Sequence, residues 1–390
     1  MTLHKKPRYT FLLCAVEPSA DLLGAELMRS LRKSCPDCAF IGCGGREMES
    51  EGLKSLFPID AFSVIGPVGA VLALPAALKA VDQLVAAAAK VRPDAAIFID
   101  SWSFSKIAAK NMRKILPTLP LIKYVAPQFW ASRSRRLKDL VQIFSGVLTL
   151  FEFENDEIEK AGGRVKFVGN PLFKKAEQQK SDGIKFRQHY GINADTQLLA
   201  VLPGSRKAEV KRLRAPFGNA LTLLKQRIPN LQCAVMAAPN VEEDVRKITD
   251  AWTVDVKHIE PRDKFEFFTQ ADVAIAASGT ITTELAIMNT PMVVAYKVDP
   301  LTALWIRSVI ETPYISLVNI AGGREIIPEC LQEECTGPEL ASRLEALLED
   351  ASLRDGQRRD FKDVLPSLGV GDHSNTICPA EAIYAWIEQK

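Results

Sequence analysis

Short apolar runs alternate with longer stretches of helical period along nearly the whole chain, and this alternation restricts the fold more than any other feature. In the first half, Tyr9–Val16, Ala39–Cys43, Ala95–Ile99, Leu121–Val125, Gly146–Leu150 and Val165–Val168 read as strands. Between them Asp21–Leu31, Ala76–Val91, Ser105–Ile115 and Glu154–Ala161 read as helices, with Ser19 and Ser103 placed to cap two of them. Strands separated by helices need crossover connections, so the pattern predicts a parallel sheet covered on both faces. The period lapses over the polar residues 173–183 and resumes with strands at Gln197–Leu202, Gln232–Ala237, Val273–Ala276 and Met292–Ala295. Helices there are expected near Glu209–Arg227, Glu242–Trp252, Asp263–Gln270 and Thr280–Met288. The chain is therefore expected to be α/β, with two doubly wound, Rossmann-like domains facing a cleft. Residues 1–172 form the first domain, 173–183 a linker and 184–349 the second, while a helical tail, 350–390, packs back on one of them, the first being the candidate.

Composition removes several classes of function. In 390 residues, 49 Lys+Arg face 47 Asp+Glu, a net charge of +2, which lacks the basic excess of a nucleic-acid binder. The eight Cys look like cytosolic thiols rather than a disulfide framework. The apolar run after the basic start, Tyr9–Val16, is too short to span a membrane and lacks a small-residue cleavage site after it. One stretch complicates the soluble reading: Ala61–Leu78 carries no charge, a length at the lower limit for a span. Gly66-Pro67, Gly69 and Pro75 interrupt it, which favours a buried or membrane-facing surface over a transmembrane helix.

In a doubly wound sheet, ligands gather outside the carboxyl ends of the strands, and four segments lie there. The first turn, Glu17-Pro18-Ser19-Ala20-Asp21, lacks a dinucleotide glycine fingerprint and offers two carboxylates and a hydroxyl. It reads either as helix capping and dipole complementation or as a binding turn. The glycine-rich turn Gly42–Arg46 is similarly ambiguous. Asp100 ends the apolar strand Ala95–Ile99, where a charge needs a partner or a task. It is either an ion pair closing the sheet edge or a general base for an incoming hydroxyl. In Pro203-Gly204-Ser205-Arg206, glycine permits close backbone approach, serine can donate, and arginine offers a fork suited to phosphate. The alternative is a turn with a solvated arginine. Ser278-Gly279-Thr280 opens a helix whose free N–H groups suit an anion, with Glu284 one turn in, where a carboxylate suits ribose hydroxyls; the alternative is a well-capped helix.

Weaker signals were weighed as well. Cys35-Pro-Asp-Cys38 has no second pair, and His4, His189, His258 and His373 are scattered, so no metal site and no cofactor are expected. No Asp-x-Asp and no Gly-x-Ser-x-Gly occur. The basic cluster Arg133–Lys138 follows Phe129 and Trp130, and reads as a solvated helix face or as a contact for an anionic membrane.

In order, these segments resemble lipid-A-disaccharide synthase, a GT-B glycosyltransferase of family 19. The resemblance runs from about Phe11 to Ala346 through EPSADLLGAELM, FIGCGGREMESEGL, FSVIGPV, IFIDSWSF, YVAPQFWASR, FVGNP, LAVLPGSR with Glu209, Ser278–Glu284 and Pro291–Glu334. It implies inverting transfer of 2,3-diacylglucosamine from UDP-2,3-diacylglucosamine to the 6-hydroxyl of 2,3-diacylglucosamine 1-phosphate. It implies Asp100 as base, and Arg206, Gly204, Ser205, Ser278, Gly279 and Thr280 around the diphosphate without a metal. Glu284 would hold ribose, and Asn319, Arg324 and Glu325 would line the nucleotide side. On the acceptor and lipid side stand Glu17, Ser19, Asp21, Phe62, Trp130, Arg133 and Arg136, on a cytoplasmic enzyme peripheral to the inner membrane; a homodimer stays open. Departures from the family pattern, at Val16, Ala20, Gly69, Ser103, Ser105, Ser132 and Asn170, all fall in the first domain. They keep two alternatives open, a UDP-sugar glycosyltransferase with another acceptor and a non-catalytic, membrane-associated nucleotide-sugar binder.

Overall fold

The computed structural model describes residues 7–59, 67–129, 134–178, 183–300, 302–304, 312–371 and 376–388. The chain divides into two compact units, Met1–Pro171 with Asp372–Lys390, and Leu172–Gly371. Each is built on a six-stranded sheet in which all pairings are parallel.

In the first unit β1 (Tyr9–Ala15), β2 (Cys38–Cys43), β3 (Ala95–Ile99), β4 (Leu121–Tyr124), β5 (Gly146–Thr149) and β6 (Val165–Phe167) lie in the order β2-β1-β3-β4-β5-β6. β1 and β3 to β5 are near-continuous apolar runs because helices cover both faces. One face packs Leu12, Ala96, Phe98 and Leu121 against Leu84 and Ala88 of the helix Pro67–Val91 and Ala108 and Met112 of the helix Trp102–Ile115. Each such Leu or Phe contributes roughly 1.5–3 kcal/mol of burial. On the opposite side the helix Pro379–Glu388 seals the sheet: the Tyr384 ring lies 5.1 Å from Tyr9 and 5.7 Å from Phe11. Trp386 fills the space above Gly146, where a Cβ would meet the indole at 2.6 Å.

In the second unit β7 (Leu198–Leu202), β8 (Gln232–Met236), β9 (Lys257–Ile259), β10 (Val273–Ala277), β11 (Met292–Tyr296) and β12 (Glu329–Leu331) take the order β12-β11-β10-β7-β8-β9. The helices Lys207–Arg227 and Gly337–Glu349 pack through Phe217, Leu221, Leu340 and Leu344 onto Leu199, Val201 and Ile275.

Several local expectations are corrected. β9 and β12, three residues each, are strands outside the expected set. The helix expected from Ala76 starts at Pro67 and runs through Pro75, which removes one backbone donor but leaves the neighbouring turns bonded. Ser19 lies inside a helix that begins at Pro18, and Ser103 inside one that begins at Trp102; neither caps. Part of the expected linker is the helix Pro171–Glu177, held by buried Phe173 and Ala176. The residues after 350 are shared: the helix Ala351–Val364 belongs to the second unit and Pro379–Glu388 to the first.

Candidate active site

The strand order of each sheet reverses direction at one place, between β7 and β10 in the second unit and between β1 and β3 in the first. Crevices outside such switch points are where doubly wound sheets hold ligands. The sequence-selected residues fall at both.

In the second unit, Leu202 pairs with Ala276, so the loops after β7 and β10 start side by side. Gly204 has φ +109°, and a Cβ there would lie 2.8 Å from Glu209 Oε2 and 3.3 Å from Ala277 Cβ. Only glycine lets the backbone run this close to the neighbouring strand end. Buried Glu209 organises the loop: its Oε2 accepts from the N–H groups of Ser205 and Arg206, both at 3.3 Å, and its Oε1 from Arg206 Nη1 at 2.9 Å. The Ser205 carbonyl accepts from Asn240 Nδ2 at 2.8 Å. Arg206 is thereby aimed, yet its side chain stays 43 % exposed. Across from it, Gly279 precedes the helix Thr280–Ile287 with no side-chain cap, both Gly279 and Thr280 are exposed, and a Cβ on Gly279 would meet nothing within 4 Å. The helix N-terminus is open, which suits an anion. Ser278 Oγ donates to the Ile315 carbonyl at 3.4 Å.

Glu284 lies one turn into that helix, largely buried, and is paired with Lys264 Nζ at 2.8 Å, itself 4.5 Å above the Phe265 ring. Nothing in the local sequence pattern pointed to Lys264. Asn319, implied by the resemblance to line the nucleotide side, is fully buried and spends its whole amide within the protein. Nδ2 donates to the Ile327 carbonyl and Glu329 Oε1, and Oδ1 accepts from the N–H groups of Ile326 and Ile327, each at 2.8 Å. These four bonds tie segment 315–329 together. Arg324 is exposed and grips Asp360 through two bonds of 2.7 and 3.0 Å, and Glu325 Oε1 accepts from the Glu329 N–H at 3.4 Å.

In the first unit Asp100 follows β3 directly, with φ +51°, and Ser101 follows with φ +39°. The Ser105 hydroxyl donates to the Asp100 carbonyl at 2.8 Å, and the Asp100 N–H to the Tyr124 carbonyl at 3.0 Å. Among the described residues its carboxylate has no hydrogen-bond or ion-pair partner, so the ion pair weighed above is not formed. Beside it lies Lys123 of β4, outside the residues expected from the sequence. Its ammonium is buried and bonded to the carbonyls of Phe98, Asp100 and Tyr124. A lone lysine inside the apolar run Leu121–Val125 was the available signal, by the same argument applied to Asp100.

Asp21 takes a structural part. Its Oδ1 accepts from the N–H groups of Gly45 at 2.7 Å and Met48 at 3.1 Å, and its Oδ2 from Glu47 at 2.9 Å, holding the next helix's N-terminus. A Cβ on Gly45 would come 2.6 Å from Asp21 Oδ2, which accounts for the glycine-rich turn. Glu17 is half-buried beyond β1, Ser19 is exposed, and Arg136 is half-buried in the helix Ser134–Ile143. Phe62, Trp130 and Arg133 lie outside the described residues. Leu74 and Leu78, one turn apart on the helix Pro67–Val91, are 45 % and 44 % exposed. Among the described residues no helix is long and apolar enough to cross a membrane, and no cluster of His, Cys, Asp and Glu could hold a metal.

Against known proteins, residues 11–378 match the family described as lipid-A-disaccharide synthetase. The chain is 36% identical over 380 residues to the lipid-A-disaccharide synthase of Paramagnetospirillum magneticum, covering 97% of both chains. It is 37% identical over 380 residues to that of Rhodospirillum centenum, covering 97% of this chain and 94% of the relative. Among solved structures it resembles the glycotransferase of kitacinnamycin, with TM-score 0.60 and 17% identity over 98% of this chain and 100% of that one. It also resembles the UDP-GlcNAc 2-epimerase of Neisseria meningitidis bound to UDP-GlcNAc, with TM-score 0.58 and 12% identity over 92% and 98% of the two chains. At these identities the structural likeness shows the fold: the two-sheet α/β architecture of GT-B glycosyltransferases and epimerases.

Proposed function

This chain belongs to the lipid-A-disaccharide synthase family and is a glycosyltransferase, and from that premise we propose its reaction and the residues that carry it. The donor is UDP-2,3-diacylglucosamine and the acceptor 2,3-diacylglucosamine 1-phosphate. The products are a β-1,6-linked tetra-acyl disaccharide 1-phosphate and UDP. The C1–O bond to the diphosphate breaks as the acceptor 6-oxygen attacks from the opposite face, and the hydroxyl proton goes to the base.

Asp100 is that base. What supports this is its place at a switch point, in a constrained turn, with a carboxylate that has no hydrogen-bond or ion-pair partner among the described residues. Arg206 and the open helix N-terminus at Gly279–Thr280 receive the charge that develops on the departing diphosphate, with Gly204 and Ser205 framing the approach. Glu284, oriented by Lys264, takes the ribose hydroxyls. The single observation that carries the donor assignment is the adjacency of the Gly204–Arg206 loop to the end of β10, fixed by the 3.3 Å from the Gly204 Cβ position to Ala277. Acyl chains need an apolar surface. The first unit meets the cytoplasmic face of the inner membrane peripherally; exposed Leu74 and Leu78, with Phe62, Trp130, Arg133 and Arg136 assigned from the sequence, support this reading.

Purified protein with both lipid substrates should release UDP, and Asp100→Asn should lower kcat by about 10³-fold or more with little change in UDP affinity. Undiminished turnover in that variant removes Asp100 as base. UDP release only with a different acylated or non-acylated acceptor would overturn the acceptor assignment. In cell fractions, high-salt or carbonate extraction should free the protein from membranes; retention in the pellet would refute peripheral attachment.

A further inference from the structure

Lys123 is a buried cation for which the transfer as derived has no use. Its three N–H donors meet three carbonyls: Phe98 at 3.2 Å and Tyr124 at 3.3 Å, and that of Asp100, the closest of the three. Those acceptors come from the C-terminal ends of two adjacent strands, β3 and β4, where Phe98 pairs with Lys123. The same two strand ends hold three of the six non-glycine residues with positive φ among those described: Asp100, Ser101 and Val125, at +51°, +39° and +71°. Left-handed backbone at a β-branched residue is rare, and such conformations persist where the surroundings over-determine them. Here the surroundings are one ammonium that ties the residues just before both turns.

We propose that Lys123 is a positioning residue for the base, fixing the Asp100 turn through its carbonyl. This rests on Asp100 being the base. Burial pushes the Lys123 ammonium down to about 8, and the charges that face it, from Asp100, the Cys14 thiol of β1 and Glu17 beyond it, push it back up. The lysine is thus protonated at neutral pH and loses its charge as pH rises through about 8. Above that point the amine has two N–H donors for three carbonyls and no charge, so its hold on the turn weakens.

The test is the pH profile of kcat/KM for wild type, Lys123→Met and Asp100→Asn, with UDP affinity measured in parallel. Wild type should lose rate above about pH 8. Lys123→Met, similar in shape and without charge, should lack that alkaline limb and lose at least tenfold in kcat while UDP affinity holds within twofold. A structural lysine would give a uniform loss with the alkaline limb retained, and that outcome overturns the proposal. Should Lys123→Met fail to fold, NMR of Cε-labelled lysine in wild type and Asp100→Asn decides. One lysine should titrate near 8, and lower still once the Asp100 charge is gone; a midpoint that Asp100→Asn leaves unmoved overturns the proposal. Full turnover in Asp100→Asn defeats the base assignment itself. Loss of turnover there, with an unchanged profile in Lys123→Met, defeats only the role of Lys123.

Discussion

Asn319→Ala separates a ligand contact from a structural knot. The side chain makes four hydrogen bonds at 2.8 Å, two from backbone N–H groups, one to a backbone carbonyl and one to the Glu329 carboxylate. It is fully buried, so no water replaces the lost amide. Each neutral bond is worth about 1 kcal/mol net and the one to a charged group about twice that, with more where a buried donor is stranded. Together the loss should be about 4–5 kcal/mol. Glu329 also accepts from the N–H groups of Ile315 and Ser316, so the whole segment from 315 to 329 is involved. For a unit of this size, about 2–4 °C of melting temperature go with each kcal/mol, predicting a fall of about 12 °C. Asn319→Asp, which keeps the shape but sets a second carboxylate against Glu329, should be as damaging or worse. The assay is a thermal melt followed by the KM for the UDP-sugar at a temperature where the variant is folded. A melt within about 2 °C of wild type, with KM raised tenfold, would show a direct substrate contact and refute the knot.

Gly204→Ala sets a side chain at φ +109° and 2.8 Å from Glu209 Oε2, so UDP affinity by calorimetry should fall at least tenfold; an unchanged affinity would detach this loop from the nucleotide. Lys264→Met should release Glu284 from its 2.8 Å partner and raise the KM for the UDP-sugar several-fold, with kcat less affected; a fall in kcat alone would place Lys264 elsewhere in the mechanism. Gly146→Val would drive a side chain into the Trp386 ring, and protease should then clip the helix Pro379–Glu388 faster than in wild type. Iodoacetamide at pH 8 should label half-exposed Cys378 and Cys38 well before Cys233 and Cys330, which burial pushes up to about 12; early labelling of Cys233 would show that its sheet opens.

The long strands and helices were legible because an apolar run of five or more residues between helical periods has few other uses. β9 and β12 were not: the three residues of each are placed by pairing with β8 and β11. The places of Gly204, Arg206, Asp100 and Gly279 at strand ends were legible because each follows closely on an apolar run. Lys264, Lys123 and the inward turn of Asn319 were not, each being set by a partner distant in sequence. Asp21 meets residues 24 to 27 positions on, and Arg324 meets Asp360 36 positions away. Ser19 does not cap for a local reason: Pro18 can occupy the first turn of a helix, so that helix starts two residues earlier than a Ser19 cap implies.

The two switch points solve opposite problems with the same backbone device. Both leave the strand through positive φ, at Gly204 and at Asp100. At the first, glycine adopts that conformation without steric cost, and what the loop offers an anion is close backbone, an arginine and an open helix end. At the second, the residues in left-handed backbone carry side chains, at a cost of order 1–3 kcal/mol each. A glycine at position 100 would relieve the turn and remove the carboxylate. The strain is therefore tied to the presence of a side chain there, and Lys123, Ser105 and the Tyr124 carbonyl are the contacts that sustain it. This argues that Asp100 was placed for chemistry rather than for folding. Asp100→Gly should then melt no lower than wild type while losing turnover, and a clear drop in its melting temperature would refute the argument.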